Sequence, residues 1–173
     1  MGLSYLGIFH TVIGVIAIIA AFVSLFKTAK IDLSSWSGRI YFYFTLVASL
    51  TALGLSSVKG VNPGHILALF IVILITAAYY LFAKKPGYNR SRFFENFFLS
   101  FSFFLSLLPT VNETFTRVPV GHPLANGPQD PVIAKTLLVL LVLFIAGSIL
   151  QFRKQSRINS LITNDPRSGY KSA

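Results

Sequence analysis

Residues 63–83 read PGHILALFIVILITAAYYLFA, 21 positions without one Asp, Glu, Lys or Arg. A helix needs about 20 apolar residues to cross the ~30 Å hydrocarbon core of a bilayer, so this stretch predicts one crossing. Both ends carry their own signals. Asn62 offers an N-cap with Pro63 at the first helical position, and Lys84-Lys85-Pro86-Gly87 stops the helix at the other end,.

Working outward, four more apolar segments of similar length lie at 3–26, 38–58, 93–111 and 132–152. The chain of 173 residues is 54% hydrophobic and 12% charged, about half the charge of an ordinary soluble domain. That composition excludes a soluble globular protein. The expected architecture is an all-α, five-transmembrane-helix bundle forming one membrane domain over 1–152, followed by a basic tail at 153–173. Asp130-Pro131 repeats the N-cap and Pro signal before the fifth segment, and residues beyond Arg157 are polar enough to be expected without fixed structure,. The first segment has no basic n-region and no A-x-A site, so it is expected to stay as a helix,. No internal repeat is found, which argues against a transporter built from inverted halves.

The net charge of +10 would suggest nucleic acid in a soluble chain,. The positions of the charges point elsewhere. Lys27, Lys30 and Arg39, then Lys84, Lys85, Arg90 and Arg92, then Arg153, Lys154, Arg157, Arg167 and Lys171 put 12 of the 15 basic residues on one side. Lys59, Arg117 and Lys135 lie on the other. The positive-inside bias therefore predicts an outer N-terminus and a cytoplasmic C-terminus, with a lipid bilayer and not a nucleic acid as partner. Trp36, Tyr41, Tyr43, Tyr79 and Tyr80 fall toward the cytoplasmic ends, as an aromatic belt would,.

The fourth segment is interrupted by Glu95, Asn96, three Ser and Pro109. Its large apolar residues contribute about −5 kcal/mol on an insertion scale, against about +3 for an acidic residue at the bilayer centre. Glu95 lies near the end, one turn from Arg92, with which an i,i+3 pair is expected. Insertion wins.

Small and polar residues fall on common helix faces. Gly7, His10, Gly14, Ala17, Ala21 and Ser24 form one heptad seam, Ala48, Ala52 and Ser56 a shorter stripe, and Glu95, Ser102, Ser106 and Pro109 share a face. Small residues let helix backbones approach closely, so these faces are expected inside the bundle.

All three histidines fall on the outer half. His10 lies roughly 25 Å above Lys27 and His65 roughly 28 Å above Lys84 at 1.5 Å per residue, nearly level with each other. His122 sits in the long 112–131 loop with Glu113 and Asp130. An ionisable group facing the interior of a membrane bundle tends to be functional and to have a partner. His10 and His65 could ligate haem iron, and His10, His65 and His122 with Glu113 could hold a divalent transition metal such as Zn²⁺ or Cu²⁺. An interhelical hydrogen bond from His10 is an equal alternative. Zero Cys excludes disulfides, thiolate metal sites and iron–sulfur clusters,. No nucleophile–base pair, phosphate-binding Gly loop or paired carboxylates point to an enzyme.

The stretch His10-Thr11-x-x-Gly14, a basic loop, then Gly38-Arg39-Ile40-Tyr41 resembles an uncharacterised family of bacterial multi-pass membrane proteins with an H-x-x-x-G … H-R-x-x-G-R-x-Y pattern. The resemblance covers about residues 5–85, with an echo at Thr116-Arg117-x-Pro119. Where that pattern has a His-Arg pair, this chain has Ser34 and Ser35. It implies a small multi-helix domain of the bacterial inner membrane and no particular activity. A fainter similarity to small di-haem b-type cytochromes motivates haem b as a cofactor, by analogy alone. Two readings follow: an outward-facing histidine site for haem or metal in electron transfer or ligand binding, or an accessory or scaffold subunit without cofactor, packed against a membrane partner or a second copy.

Overall fold

A computed structural model describes residues 4–55, 62–84 and 89–163. It is all-helical: α1 (Tyr5–Thr28), α2 (Trp36–Ala52), α3 (Pro63–Lys84), α4 (Asn89–Arg117) and α5 (Pro131–Thr163). Four of them, α1, α3, α4 and α5, are long and apolar enough to cross a membrane. The helix expected over 38–58 starts at Trp36, and after Ala52 the chain turns through Leu53, Gly54 and Leu55, whose amides donate to Leu50, Thr51 and Ala52. Residues 56–58 of that segment, Ser56 among them, lie outside the described residues.

The caps have the expected causes. Asn62 Oδ1 accepts from the His65 amide at 3.0 Å, and Asp130 Oδ1 accepts from the Val132 amide at 3.0 Å. Ser4 and Ser35 cap α1 and α2, each accepting from a Gly amide three residues on at 3.1 Å. α1 ends where Ala29 takes φ 61 and its amide returns to Leu25.

Two helices outrun their expected ends because hydropathy stops marking a helix where it leaves apolar surroundings. α4 continues past 111 to Arg117, through Pro109, and carries Glu113 and Arg117 as an i,i+4 pair at 2.7 Å,. The loop between α4 and α5 shortens to 118–130 and folds back, with the Ala125 amide on Phe115 O at 2.8 Å and Ala125 buried. α5 continues past 152 to Thr163, so the start of the expected tail is helix; Gln155 Nε2 donates to Asn159 Oδ1 one turn on, at 2.8 Å.

α1 packs along α2, α2 on α3, α3 on α4 and α4 on α5. The core joins Ala17, Ala20 and Ala21 of α1 to Tyr41 and Phe42 of α2, Leu74, Ile75 and Ala78 of α3, and Leu99 and Phe103 of α4. The α1 seam is buried at Ala17, Ala21 and Ser24, but a Cβ on Gly14 would meet nothing within 4 Å. The seam is therefore open at Gly14 alone of these positions, since beyond it His10 bonds to Ala48 and Thr51 of α2 and a Cβ on Gly7 would meet Leu55 at 3.8 Å. On α4, Glu95 and Ser102 are buried as expected, whereas Pro109 is exposed.

α5 is held by rings. Phe144 meets Phe97, Phe101 and Phe104 at 6.1, 5.6 and 5.0 Å, and Phe152 stacks on Phe93 at 5.3 Å. Elsewhere Leu138, Val139, Val142, Leu143 and Leu150 of α5, like Ile19 and Phe26 of α1 and Ile66 and Ile73 of α3, are exposed. In water such apolar faces would drive aggregation. Against lipid tails, which are as apolar as Leu, they carry no such penalty.

Candidate functional site

His10 Nδ1 lies 3.0 Å from the Ala48 carbonyl and 3.1 Å from Thr51 Oγ1 on α2. The Thr51 hydroxyl proton is directed to the carbonyls of Val47 and Ala48, at 3.0 and 2.9 Å. We therefore assign the ring proton to Nδ1, donating to the Ala48 carbonyl and leaving the lone pair on Nε2. The bond ties the start of α1 to the end of α2.

The other expected ligands have different surroundings. His65 opens α3, and its Nε2 is buried with no hydrogen-bond partner. α2 packs against both α1 and α3, the helices carrying His10 and His65. His122 is exposed in the 118–130 loop, its amide donating to Pro119 O at 3.1 Å. Glu113 faces Arg117 on the same exposed helix end, because α4 continues where a loop was expected. Among the described residues no three His, Asp or Glu side chains gather as a metal site would require.

The stretch from Ser24 to Tyr41 is held by a hydrogen-bonded turn. Ser24 Oγ donates to Lys30 O at 3.1 Å and accepts from the Asp32 amide at 3.0 Å, closing the α1–α2 loop onto α1. Asp32 Oδ1 accepts from the Ser34 hydroxyl at 2.8 Å and amide at 3.1 Å, while Ser35 Oγ donates to Asp32 O at 2.7 Å. Gly38 lies against this turn so closely that a Cβ would stand 2.0 Å from Asp32 O. Arg39 Nε donates to Leu33 O at 3.2 Å, and the Tyr41 phenol reaches Ser102 on α4 at 2.7 Å. Ser34 and Ser35 thus build the turn themselves. Burial pushes the Asp32 carboxyl up, but the two Ser34 bonds and the charge of Lys30 outweigh it and hold its pKa below the ordinary value,.

A second polar region occupies the interior of the basic end. Glu95, Asn96 and Gln155 are 2%, 5% and 6% exposed. Asn96 Nδ2 donates to Gln155 Oε1 at 3.3 Å and Ser100 Oγ to Gln151 Oε1 at 2.9 Å, joining α4 to α5. Gln151 Nε2 then donates to Ala29 O at 3.1 Å and Lys154 Nζ to Thr28 O at 3.2 Å, joining α5 to the end of α1. Glu95 Oε1, Asn96 Oδ1 and Ser148 Oγ are buried without a hydrogen-bond partner. Lys30 and Arg92 bring positive charge toward Glu95 and Asp32 negative charge; the expected Arg92 bond is not made at Oε1. The crevice between Asn96, Ser148 and Gln151 has no room for a water molecule. Its signal in the sequence was a polar i, i+3, i+7 stripe, Ser148, Gln151 and Gln155, matching Asn96 and Ser100 one turn apart on α4. Comparison with family models, with curated proteins and with solved structures finds no match to this chain.

Proposed function

We propose that the chain is an accessory or scaffold subunit of a larger membrane complex, crossing the bilayer five times with its N-terminus outside and its C-terminus in the cytoplasm. The observation that carries this reading is the His10 bond to Ala48 and Thr51, which uses the most conspicuous polar group of the outer half to fasten α1 to α2. The Asn96–Gln155, Ser100–Gln151 and Tyr41–Ser102 pairs likewise fasten helix to helix. The apolar faces of α1, α3 and α5 remain for lipid, a membrane protein partner or a second copy. The resemblance to bacterial multi-pass proteins supports the inner membrane as its location, and α2, short at ~25 Å, would cross between α1 and α3.

A second reading keeps the histidines as ligands of haem b or a divalent transition metal. A ligating imidazole commonly donates its other N–H to a backbone carbonyl, as His10 does to Ala48, and His65 Nε2 has no other partner. Expression with haem precursor and first-row metals separates the two. The subunit reading expects colourless, metal-free protein, discrete cross-linked species in native membranes, and a His10→Ala loss of roughly 0.6 kcal/mol and under about 2, the range of interhelical hydrogen bonds in membranes. A Soret band or stoichiometric metal that disappears in the His10→Ala, His65→Ala double variant would establish the ligand reading instead.

A further inference from the structure

Residues 118–130 join α4 to α5 in a loop that its own hydrogen bonds hold in shape. The Ala125 amide donates to Phe115 O at 2.8 Å, the His122 amide to Pro119 O at 3.1 Å and the Asn126 amide to Asp130 Oδ2 at 2.9 Å. Ala125 is 2% exposed, so the base of the loop is packed. On that base Val118, Val120 and Leu124 stand 51%, 93% and 59% exposed, with Pro119 and Pro123 exposed between them. A held apolar tip has little ordering cost left to set against a contact.

Lipid does not account for this exposure. α4 stays helical from Val111, where its apolar segment ends, to Arg117, a rise of about 9 Å,. The exposed Glu113–Arg117 ion pair occupies that stretch. The tip therefore lies beyond charged side chains, on the water side of them, where contiguous apolar exposure marks a contact site.

Charge selects the occupant. The chain carries +10, and a large net charge holds copies of a protein apart. Around this loop the balance differs: Glu113 and Asp130 offset Arg117 and Lys135, and residues 118–129 contain no Asp, Glu, Lys or Arg. Arg117 already takes Glu113 at 2.7 Å, and the Asn126 and Val132 amides already take Asp130. A neutral apolar tip is complementary to itself. Two copies inserted in the same direction bring identical tips to one height, as a two-fold contact requires.

We infer that the 118–124 tip is a contact with a second copy of this chain, with Val120 near the two-fold axis and Val118 and Leu124 around it. The patch is small, so the contact belongs to the weak, reversible class and forms where a membrane confines both copies to one plane. The inference rests on the membrane reading, and it makes a second copy the neighbour of the proposed subunit.

The test uses the full chain, which has no Cys, in the membranes of cells that express it, oxidised with copper phenanthroline. Val120→Cys should give a disulfide-linked dimer in several-fold higher yield than Ser4→Cys, another exposed position. Adding Leu124→Asp, which sets like charges against each other across the axis, should lower that yield several-fold, and adding Arg157→Gln at the other end should leave it unchanged. Equal yields at positions 4 and 120, or a yield indifferent to Leu124→Asp, would overturn the contact. A thiol-to-amine cross-linker at position 120 that gives an adduct of another mass, and none at twice the mass of the chain, would overturn the second copy in favour of a different protein. A chain that stays soluble and folded without detergent would instead remove the membrane reading beneath it, and a Soret band would end the subunit reading while leaving the dimer result as it stands.

Discussion

The Tyr41 phenol stands 2.7 Å from the Ser102 hydroxyl, joining α2 to α4, and neither residue is more than 1% exposed. Ser102 Oγ also donates to Leu99 O at 2.9 Å, so the phenol is the donor to Ser102,. Tyr41 lies four residues before Thr45, whose buried hydroxyl has no partner of its own.

Tyr41→Phe should therefore cost little, because it removes a donor whose acceptor keeps its own bond to Leu99. A coupling of roughly 0.6 kcal/mol, below about 2, is expected from a Tyr41→Phe, Ser102→Ala double-mutant cycle read by unfolding in detergent. Tyr41→Ala leaves a cavity and should cost about 3–5 kcal/mol. A null coupling would mean that the two side chains merely adjoin.

Two glycines should behave oppositely. Gly38→Ala places a methyl where Asp32 O already stands, 2.0 Å away, and must open the α1–α2 turn, with a loss at or above the roughly 1–3 kcal/mol of ordinary overpacking,. Gly14→Ala meets nothing within 4 Å and should leave stability unchanged or raise it by up to about 1 kcal/mol through helix propensity,. Melting temperatures of the two variants in one detergent decide; sensitivity at Gly14 would show a neighbour on that face.

Topology is open to a clean labelling test because the chain has no Cys. Ser4→Cys and Asn126→Cys should react with an impermeant thiol reagent outside intact cells, and Ser34→Cys and Ser156→Cys only after lysis. All four positions are exposed. The reverse pattern would invert the bundle.

The pH dependence of the α1–α2 turn follows from Asp32. Its folded-state pKa is held below the ordinary 3.8 by Ser34 and Lys30 against the opposing effect of burial. A carboxyl with a depressed folded value stabilises the fold above its unfolded value, and that contribution disappears as pH falls through the folded one. Stability should decline below about pH 4, and Asp32→Asn should be less stable at neutral pH yet lose part of that decline. An unchanged acid profile in Asp32→Asn would remove this turn as the cause.

The helical class was legible because hydrophobic runs near 20 residues are hard to read otherwise, and Asn62-Pro63 and Asp130-Pro131 marked helix starts directly. Helix ends were less legible. Glu113, Arg117 and the Arg153–Leu161 stretch are polar but compatible with helix, and hydropathy registers only the part bounded by hydrocarbon. Gly14 shares its spacing with Ala17 and Ala21 but not their burial, since a heptad position names a side of a helix and not how closely the neighbour approaches at that level. The histidines were conspicuous for their chemistry, whereas the joints that the structure displays, Tyr41–Ser102 and the Asn96–Gln155 pair, use common residue types whose meaning depends on which helices are neighbours. Gly38 was quoted within a motif, but its reason, the Asp32 carbonyl, lies six residues away through a turn that no periodicity encodes.

The polar joint between α4 and α5 has a consequence for biosynthesis. A nascent chain delivers α4 to the membrane before α5, and until α5 arrives Asn96 and Ser100 lack the Gln155 and Gln151 that satisfy them. Unpaired amides and hydroxyls are costly in apolar surroundings, so until α5 docks the Asn96 and Ser100 side chains leave a polar stripe on α4 without its partners. Docking of the last helix closes that stripe, so the polar joint makes the bundle's completion depend on the helix synthesised last.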